Sequence, residues 1–336
     1  MRPIGVLLNA EYPAAELIRL GRLAEELGYQ TLWYVDVRLM RECYVGLASL
    51  AMATRRIRLA TGVTDPYSRH PALTAAAIAS LDELSEGRAV LGLGLGGSGF
   101  RELGIEKTLP VAALREGIGI VRGLLRGEEV TVAGKVLSLT GARLQFAPHG
   151  AVPIYIATQG AQISRLAGEL ADGVLIANTL HPPALDLYLA QLAAGAAKAG
   201  RALSDIDVNL RWELCIADDE AAAMQVMRRR LAQRIVNGYP NLRFLEALDV
   251  RLPQAFLDVA ARKDPALIAE AMAALPEEVL ARSVLAGNPA RVAAGISAML
   301  RPGVTGMTIR PHACPGSSTE DVVRRFAREV VPLLDG

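Results

Sequence analysis

The chain has 336 residues, 51% of them apolar and 21% charged, with a formal charge of +1 and a mean hydropathy of +0.27. This is room for one large α/β domain or two ordinary ones, with a large core sheathed in alanine-rich helices. A balanced charge with no basic stripe interleaved with aromatics argues against a nucleic-acid partner, and no apolar run reaches the roughly 20 residues that cross a bilayer, so no membrane partner is expected either.

Strand-like and helix-like runs alternate along the chain. Ile4–Leu8 precedes a helix near Pro13–Leu27, which Gly28 ends as the residue after the cap. Thr31–Val35, Ile57–Val63 and Ala89–Leu93 each lead into a helix, near Tyr44–Ala53, Pro71–Ser85 and Val111–Leu125. Val130–Leu139, split by Ala133-Gly134-Lys135, reads as a small hairpin outside the main sheet. Pro153–Ala157 and Gly173–Ala177 precede helices near Ala161–Leu170 and Pro183–Ala199, and Ile206–Ile216 precedes a long one over Glu220–Val236. From Tyr239 to Leu285 the pattern is helical, with no convincing strand. Asn288-Pro289 opens another helix, and Gly306–Arg310 precedes the last, near Thr319–Leu333.

Eight strands, each followed by a helix, predict a parallel sheet, and a chain of this length fits a closed (β/α)8 TIM barrel better than an open sheet. The expectation is one domain over 1–336, with insertions near 128–145 and 239–285. Cys43, Cys215 and Cys314 have neither metal-ligand spacing nor a disulfide pattern and are assigned to packing. The basic run Arg228-Arg229-Arg230 lies on a predicted helix and reads as a solvated face. A strand directly after Met1-Arg2-Pro3 leaves no room for a signal peptide, so a cytoplasmic location is expected.

In such a barrel the loops after the strand ends form the active face. The residues there are Asn9 and Glu11, Asp36, Gly62 to His70, Gly94 to Gly99, Thr158 to Gly160, Ala177 to Thr179, Arg211 to Glu213 and Arg310 to His312. Gly92-Leu93-Gly94-Leu95-Gly96-Gly97 matches a dinucleotide pattern by count, but it follows the fourth strand and no helix starts at once. The better reading is backbone that a flat ring or an anion can approach closely, with a ligand-free tight loop as the alternative. Thr158-Gln159-Gly160 is a strand-to-helix turn suited to phosphate or carboxylate, or simply a cap. Asp36 is either a helix cap or a ligand-facing carboxylate. His70 either starts a helix by bonding backbone or touches substrate. His149, His181 and His312 have no carboxylate or histidine at useful spacing and receive no role. With no activated nucleophile, metal cluster or carboxylate pair in the sequence, the inventory suits an enzyme whose cofactor supplies the chemistry.

Thr61-Gly62-Val63-Thr64-Asp65-Pro66-Tyr67-Ser68-Arg69-His70-Pro71, the helix end from Ala79 to Arg88, Gly92-Leu93-Gly94, Thr158-Gln159-Gly160 and the run from Ala167 to Ile176 resemble the bacterial-luciferase-like superfamily. Within it the chain is most similar to the coenzyme F420-dependent methylenetetrahydromethanopterin reductases. The resemblance implies a (β/α)8 barrel holding a flavin or deazaflavin at the strand ends, and a non-proline cis peptide at Gly62–Val63 in a bulge of the third strand. The chain departs from that group in having Val6-Leu7-Leu8 in the first strand, Val35-Asp36-Val37 after the second and Gly96-Gly97-Ser98-Gly99 after the fourth. These are acidic or histidine positions of the substrate end.

The resemblance therefore implies an oxidoreductase moving a hydride between reduced F420 and an electrophilic C=N, C=C or C=O bond of a small-molecule substrate. Cofactor contacts would come from Gly62, Val63, Thr64, Gly94, Gly96, Gly97, Ser98, Thr158, Gln159, Gly160, Ala177 and Asn178. Asp36 and His70 would orient ring or substrate, or donate a proton; no metal is expected. Two rivals stand beside it: an FMN-dependent monooxygenase, and a barrel without catalysis that serves as a binding partner. A homo-oligomer, dimer or tetramer, is expected by analogy, because the helices after the first strands are rich enough in alanine and leucine to pack against a copy.

Overall fold

The structure, a computed structural model, describes residues 2–96, 99–240, 242–262 and 264–334. Eight parallel strands close on themselves: β1 (Ile4–Leu8), β2 (Thr31–Tyr34), β3 (Arg58–Thr61), β4 (Ala89–Leu93), then β7 (Ile154–Thr158), β8 (Gly173–Ala177), β9 (Asp207–Ile216) and β11 (Gly306–Pro311), which returns to β1. The register steps regularly round the ring, from Gly5 opposite Thr31 to Gly173 opposite Asp207 and Met307 opposite Ile4. The (β/α)8 barrel read from the alternation is the observed fold.

Two strands lie between β4 and β7. These are β5 (Val130–Ala133) and β6 (Ser138–Ala142), which form the separate antiparallel hairpin. The 239–285 region holds short helices at Arg243–Ala247, Gln254–Arg262, Ile268–Ala274 and Glu277–Ala281. It ends in β10 (Leu285–Gly287), a strand at the close of the stretch that the sequence reads as helical, where no strand is expected. At three residues β10 is too short to show a period. It exists because β9 runs past the end of β8 and offers Leu214–Ile216 as an unpaired edge.

The side chains of β1, β2, β3, β4, β7 and β8 that point inward in mid-barrel, Leu7, Trp33, Ala60, Val90, Tyr155 and Leu175, form a closed apolar plug. Trp33 and Tyr155 meet edge to face with ring centroids 5.3 Å apart. A filled interior pushes any chemistry to the rim above it, where the polar strand-end residues lie. Helices cover the outer face. Those at Cys43–Ala53 and Pro71–Leu84 are apolar nearly all round, and they leave Val45, Met52, Leu73 and Leu84 exposed.

Candidate functional site

The wall at β3 and β4 is built around one extra residue. Ala60 pairs with Val90 and Thr64 with Leu93, so β3 spends four residues where β4 spends three. This is a bulge. Within it the Gly62–Val63 peptide is cis, as the resemblance implied. The ladder is repaired by a side chain. Thr61 Oγ1 accepts from Gly92 N–H at 2.9 Å and donates to Gly92 C=O at 2.8 Å. Beyond the bulge Thr64 N–H donates to Gly92 C=O, and Gly94 N–H donates to Thr64 C=O. The glycines are sterically required here. A Cβ on Gly92 would lie 2.2 Å from Thr61 O, and one on Gly94 would lie 2.7 Å from Val63 Cγ2. The result is a smooth wall with Val63 at its face.

Asp36, just past β2, accepts a 2.7 Å hydrogen bond from Thr64 Oγ1. It caps nothing; Glu42 caps the next helix by accepting from Val45 N–H. Burial pushes the Asp36 carboxyl above its usual 3.8, and the Thr64 hydroxyl and the Arg38 charge offset this only in part. Arg38 forms a buried ion pair with Asp65 at 2.6 Å and stacks on Phe100 at 4.2 Å. Asp65 also accepts from Tyr67 N–H, Ser68 N–H and Ser68 Oγ–H, holding the loop after the bulge. Sequence places Asp65 on the rim only within the run Gly62 to His70 and does not place Arg38 there, because only the fold brings the two together.

In the loop after β4, Gly96 and Gly99 have φ of +67° and +93°. A Cβ on Gly96 would strike Phe100, and one on Gly99 would strike Arg38. These two glycines let the loop fold over the Arg38–Phe100 stack, which is the tight-loop reading. Gly97 and Ser98 lie outside the described residues. The next helix begins only at Pro110, so the run is no dinucleotide turn.

Beside that wall, on β7, the neighbour of β4, Thr158-Gln159-Gly160 leads into the helix Ala161–Leu170. Thr158 Oγ1 bonds within the turn and to Ser164, and no side chain caps the helix, whose cap is Gly160. A Cβ on Gly160 would meet nothing within 4 Å. Among the described residues no side chain accepts from the first-turn N–H groups of this helix, the arrangement that can receive an anion. Gln159 Nε2 donates to Ala177 C=O at 3.0 Å. Asn178, at φ +52°, accepts from Glu213 N–H through Oδ1 and keeps a buried Nδ2 without an acceptor.

His70 takes the helix-start role. Its Nδ1 accepts from Ala72 N–H and its Nε2 lies 3.0 Å from Ser138 C=O, so both ring nitrogens are committed to backbone. His312 requires a correction. The sequence gives it no carboxylate at useful spacing, yet the barrel sets its Nε2 3.1 Å from Glu213 Oε2, across 99 residues of chain. Parallel pairing of β9 with β11 puts Glu213 opposite Arg310, two residues before His312. A second correction concerns Arg228-Arg229-Arg230. Only Arg229 is exposed. Arg228 donates to Met272 and Leu275 carbonyls, and Arg230 Nε lies 3.1 Å from Glu213.

Glu213 is 4% exposed. Burial alone would raise its carboxyl, but Arg310, the bond from His312 and Arg211 outweigh that and hold it well below the usual carboxylate range. Burial depresses Arg211 to about 9 and lowers His312 as well, so near neutral pH the carboxylate is ionised and the imidazole neutral.

A barrel whose polar rim carries a smooth glycine wall on β3 and β4, with an uncapped helix start on the adjacent β7, is built to hold a flat group with an anionic tail. The residues present fit such a group, since Gly92 and Gly94 pack bare backbone against the bulge and leave Val63 as the side chain of that wall, and the space beside Gly160 is open. Sequence comparison gives the class: the chain belongs to the luciferase-like monooxygenase family, whose model matches residues 3–306. Among individual relatives, it is 35% identical over 327 residues to a 5,10-methylenetetrahydromethanopterin reductase of Methanolobus tindarius, covering 95% of this chain and 96% of that one. It is 30% identical over 352 residues to an F420-dependent glucose-6-phosphate dehydrogenase of Kineococcus radiotolerans, covering 98% and 96%. The structure of the coenzyme F420-dependent tetrahydromethanopterin reductase of Methanopyrus kandleri superposes with a TM-score of 0.85 at 27% identity, covering 98% of this chain and 99% of that one.

Proposed function

We propose that the chain is an F420-dependent oxidoreductase transferring a hydride between the deazaflavin and an electrophilic C=N, C=C or C=O bond. The observation that carries this is the glycine wall of Gly62, Gly92 and Gly94 beside Val63, in a chain similar along nearly its whole length to F420-dependent enzymes. Bound F420 would supply the hydride donor and acceptor. Val63 and the bulge would back its ring. Gly94 and Gly96 would border it, and Thr64 would hold Asp36 beside it. Thr158, Gln159 and the uncapped helix after Gly160 would receive the phosphate, with Ala177 and Asn178 closing that side.

Asp36 is the proton-donating candidate, because its burial keeps a proton to higher pH than an exposed aspartate does. His70, with both nitrogens on backbone, is assigned to holding the helix start. The chain is further read as a cytoplasmic homo-oligomer. Exposed Val45 and Met52, two helical turns apart, and Leu73 on the neighbouring helix support a contact with a second copy.

Titrating the protein into F420 is expected to quench the cofactor's fluorescence with saturation, while FMN binds weakly. Tight FMN binding with no response to F420 would move the protein to the FMN-dependent monooxygenase reading. A folded sample that binds neither would make it a non-catalytic barrel.

A further inference from the structure

Opposite the β3 bulge, the wall of β9 and β11 carries more positive than negative charge among the described residues. In a closed ring of eight strands, β9 is four places from β3 and faces it directly. Four guanidiniums, Arg211, Arg230, Arg234 and Arg310, surround the single carboxylate of Glu213 there. Its distances to Arg230, Arg310 and Arg211 are 3.1, 3.5 and 3.9 Å. Glu11 lies near Arg310, and His312 also lies against Glu213.

Among the described residues, two of the four guanidiniums have no hydrogen bond. Arg211 touches Glu213 only at ion-pair range. Arg234, one helical turn after Arg230 in the helix Glu220–Gly238, stacks on Phe244 at 4.6 Å and makes neither hydrogen bond nor ion pair among the described residues; its Nη2 is buried without a partner. The amide Nδ2 of Asn178, whose Oδ1 accepts from the Glu213 N–H, is likewise buried and unpartnered. Leaving buried donors unpaired is costly, and excess buried positive charge more so. A self-contained structural salt bridge would need one or two arginines, not four.

We propose that this cluster is an oxyanion-binding subsite, taking a phosphate or carboxylate of the substrate and placing the rest of that molecule between the β9–β11 wall and the β3 bulge. The planar forks of Arg211 and Arg234 match the oxygens of either group. Glu213 occupies part of the charge in the absence of the anion, and it holds Arg230, Arg310 and His312 in position. That the anion belongs to a redox substrate rests on the function proposed above; that the cluster binds an oxyanion does not.

The test uses the full-length protein without F420, titrated calorimetrically with inorganic phosphate and with acetate at low ionic strength. At least one of the two is expected to bind, and Arg234→Met is expected to weaken it roughly tenfold to a hundredfold with the circular dichroism spectrum unchanged. If Arg234→Met does not fold, Arg230→Gln, at the more exposed edge of the cluster, takes its place with the same expectation. F420 quenching by each variant is measured separately and is expected to match the wild type. Arginine-dependent phosphate or acetate binding in a protein that ignores F420 upholds the subsite and removes the redox reading. Anion binding equal in the wild type and both variants marks the Gly160 turn instead and overturns the proposal, as does binding of neither probe.

Discussion

At the residue scale the site depends on side chains that substitute for backbone. Thr61 satisfies the Gly92 N–H, which the bulge has taken out of the ladder. Thr61→Val keeps the shape but leaves that donor buried and unpaired, at an expected cost of about 1–3 kcal/mol in urea unfolding, with weaker F420 quenching. Asp36 makes a prediction about pH. Its native pKa lies above the unfolded value near 3.8, so its burial favours folding when it is protonated. That contribution is lost as pH rises from the unfolded value through the raised native one. A proton delivered by Asp36 follows the same direction. Turnover in the proton-consuming sense should fall as pH rises through the native pKa, and Asp36→Asn should abolish this limb while lowering kcat about 10²–10⁴-fold. A pH–rate profile of both proteins checks it, and an unchanged limb in the variant would remove Asp36 from the role.

Elements are held in place by a few polar clamps, and the clearest is Arg88. The motif Ser85-Glu86-Gly87-Arg88 ends the helix Pro71–Leu84 through two residues at positive φ, Glu86 and Gly87. It turns the chain so that the Arg88 guanidinium reaches the carbonyls of Ala51, Thr54, Ile57 and Ser85 and the Thr54 hydroxyl. One side chain therefore ties two helix ends to the start of β3. Arg88→Met should cost about 2–4 kcal/mol, read as a lower urea midpoint with an unchanged slope. The same scale explains the misread arginine run. Periodicity and charge place Arg228 and Arg230 on a helix correctly, but which helix face meets the rim depends on how the helix docks. Two of the three arginines found acceptors inside the molecule.

For the whole molecule the prediction concerns association. The helices Cys43–Ala53 and Pro71–Leu84 pack side by side and expose Val45, Met52 and Leu73 at 67%, 65% and 60%. Side chains so exposed on helices with no polar face are what a second copy would cover. Met52→Glu with Leu73→Glu should convert the assembly to monomers by analytical ultracentrifugation and leave the circular dichroism spectrum unchanged. A wild type that sediments as a monomer at micromolar concentration would remove the oligomer from the reading.

The order of the elements was legible in the sequence because it is local. Strand and helix periods, glycine at helix ends and proline at helix starts are written within a few residues, and eight repeats in 336 residues leave the closed barrel as the economical solution. The glycine wall was legible for a related reason, since backbone that must pass close to something excludes a Cβ wherever it occurs. The pairings across the rim were not. Glu213 with His312, Arg38 with Asp65 and Arg234 with Phe244 join residues 10 to 99 positions apart. What brings them together is register round a closed sheet and the docking of a helix on it, which no local pattern records. The type of chemistry at the rim could be read one residue at a time; which groups share a proton, a charge or an anion was decided only when the barrel closed.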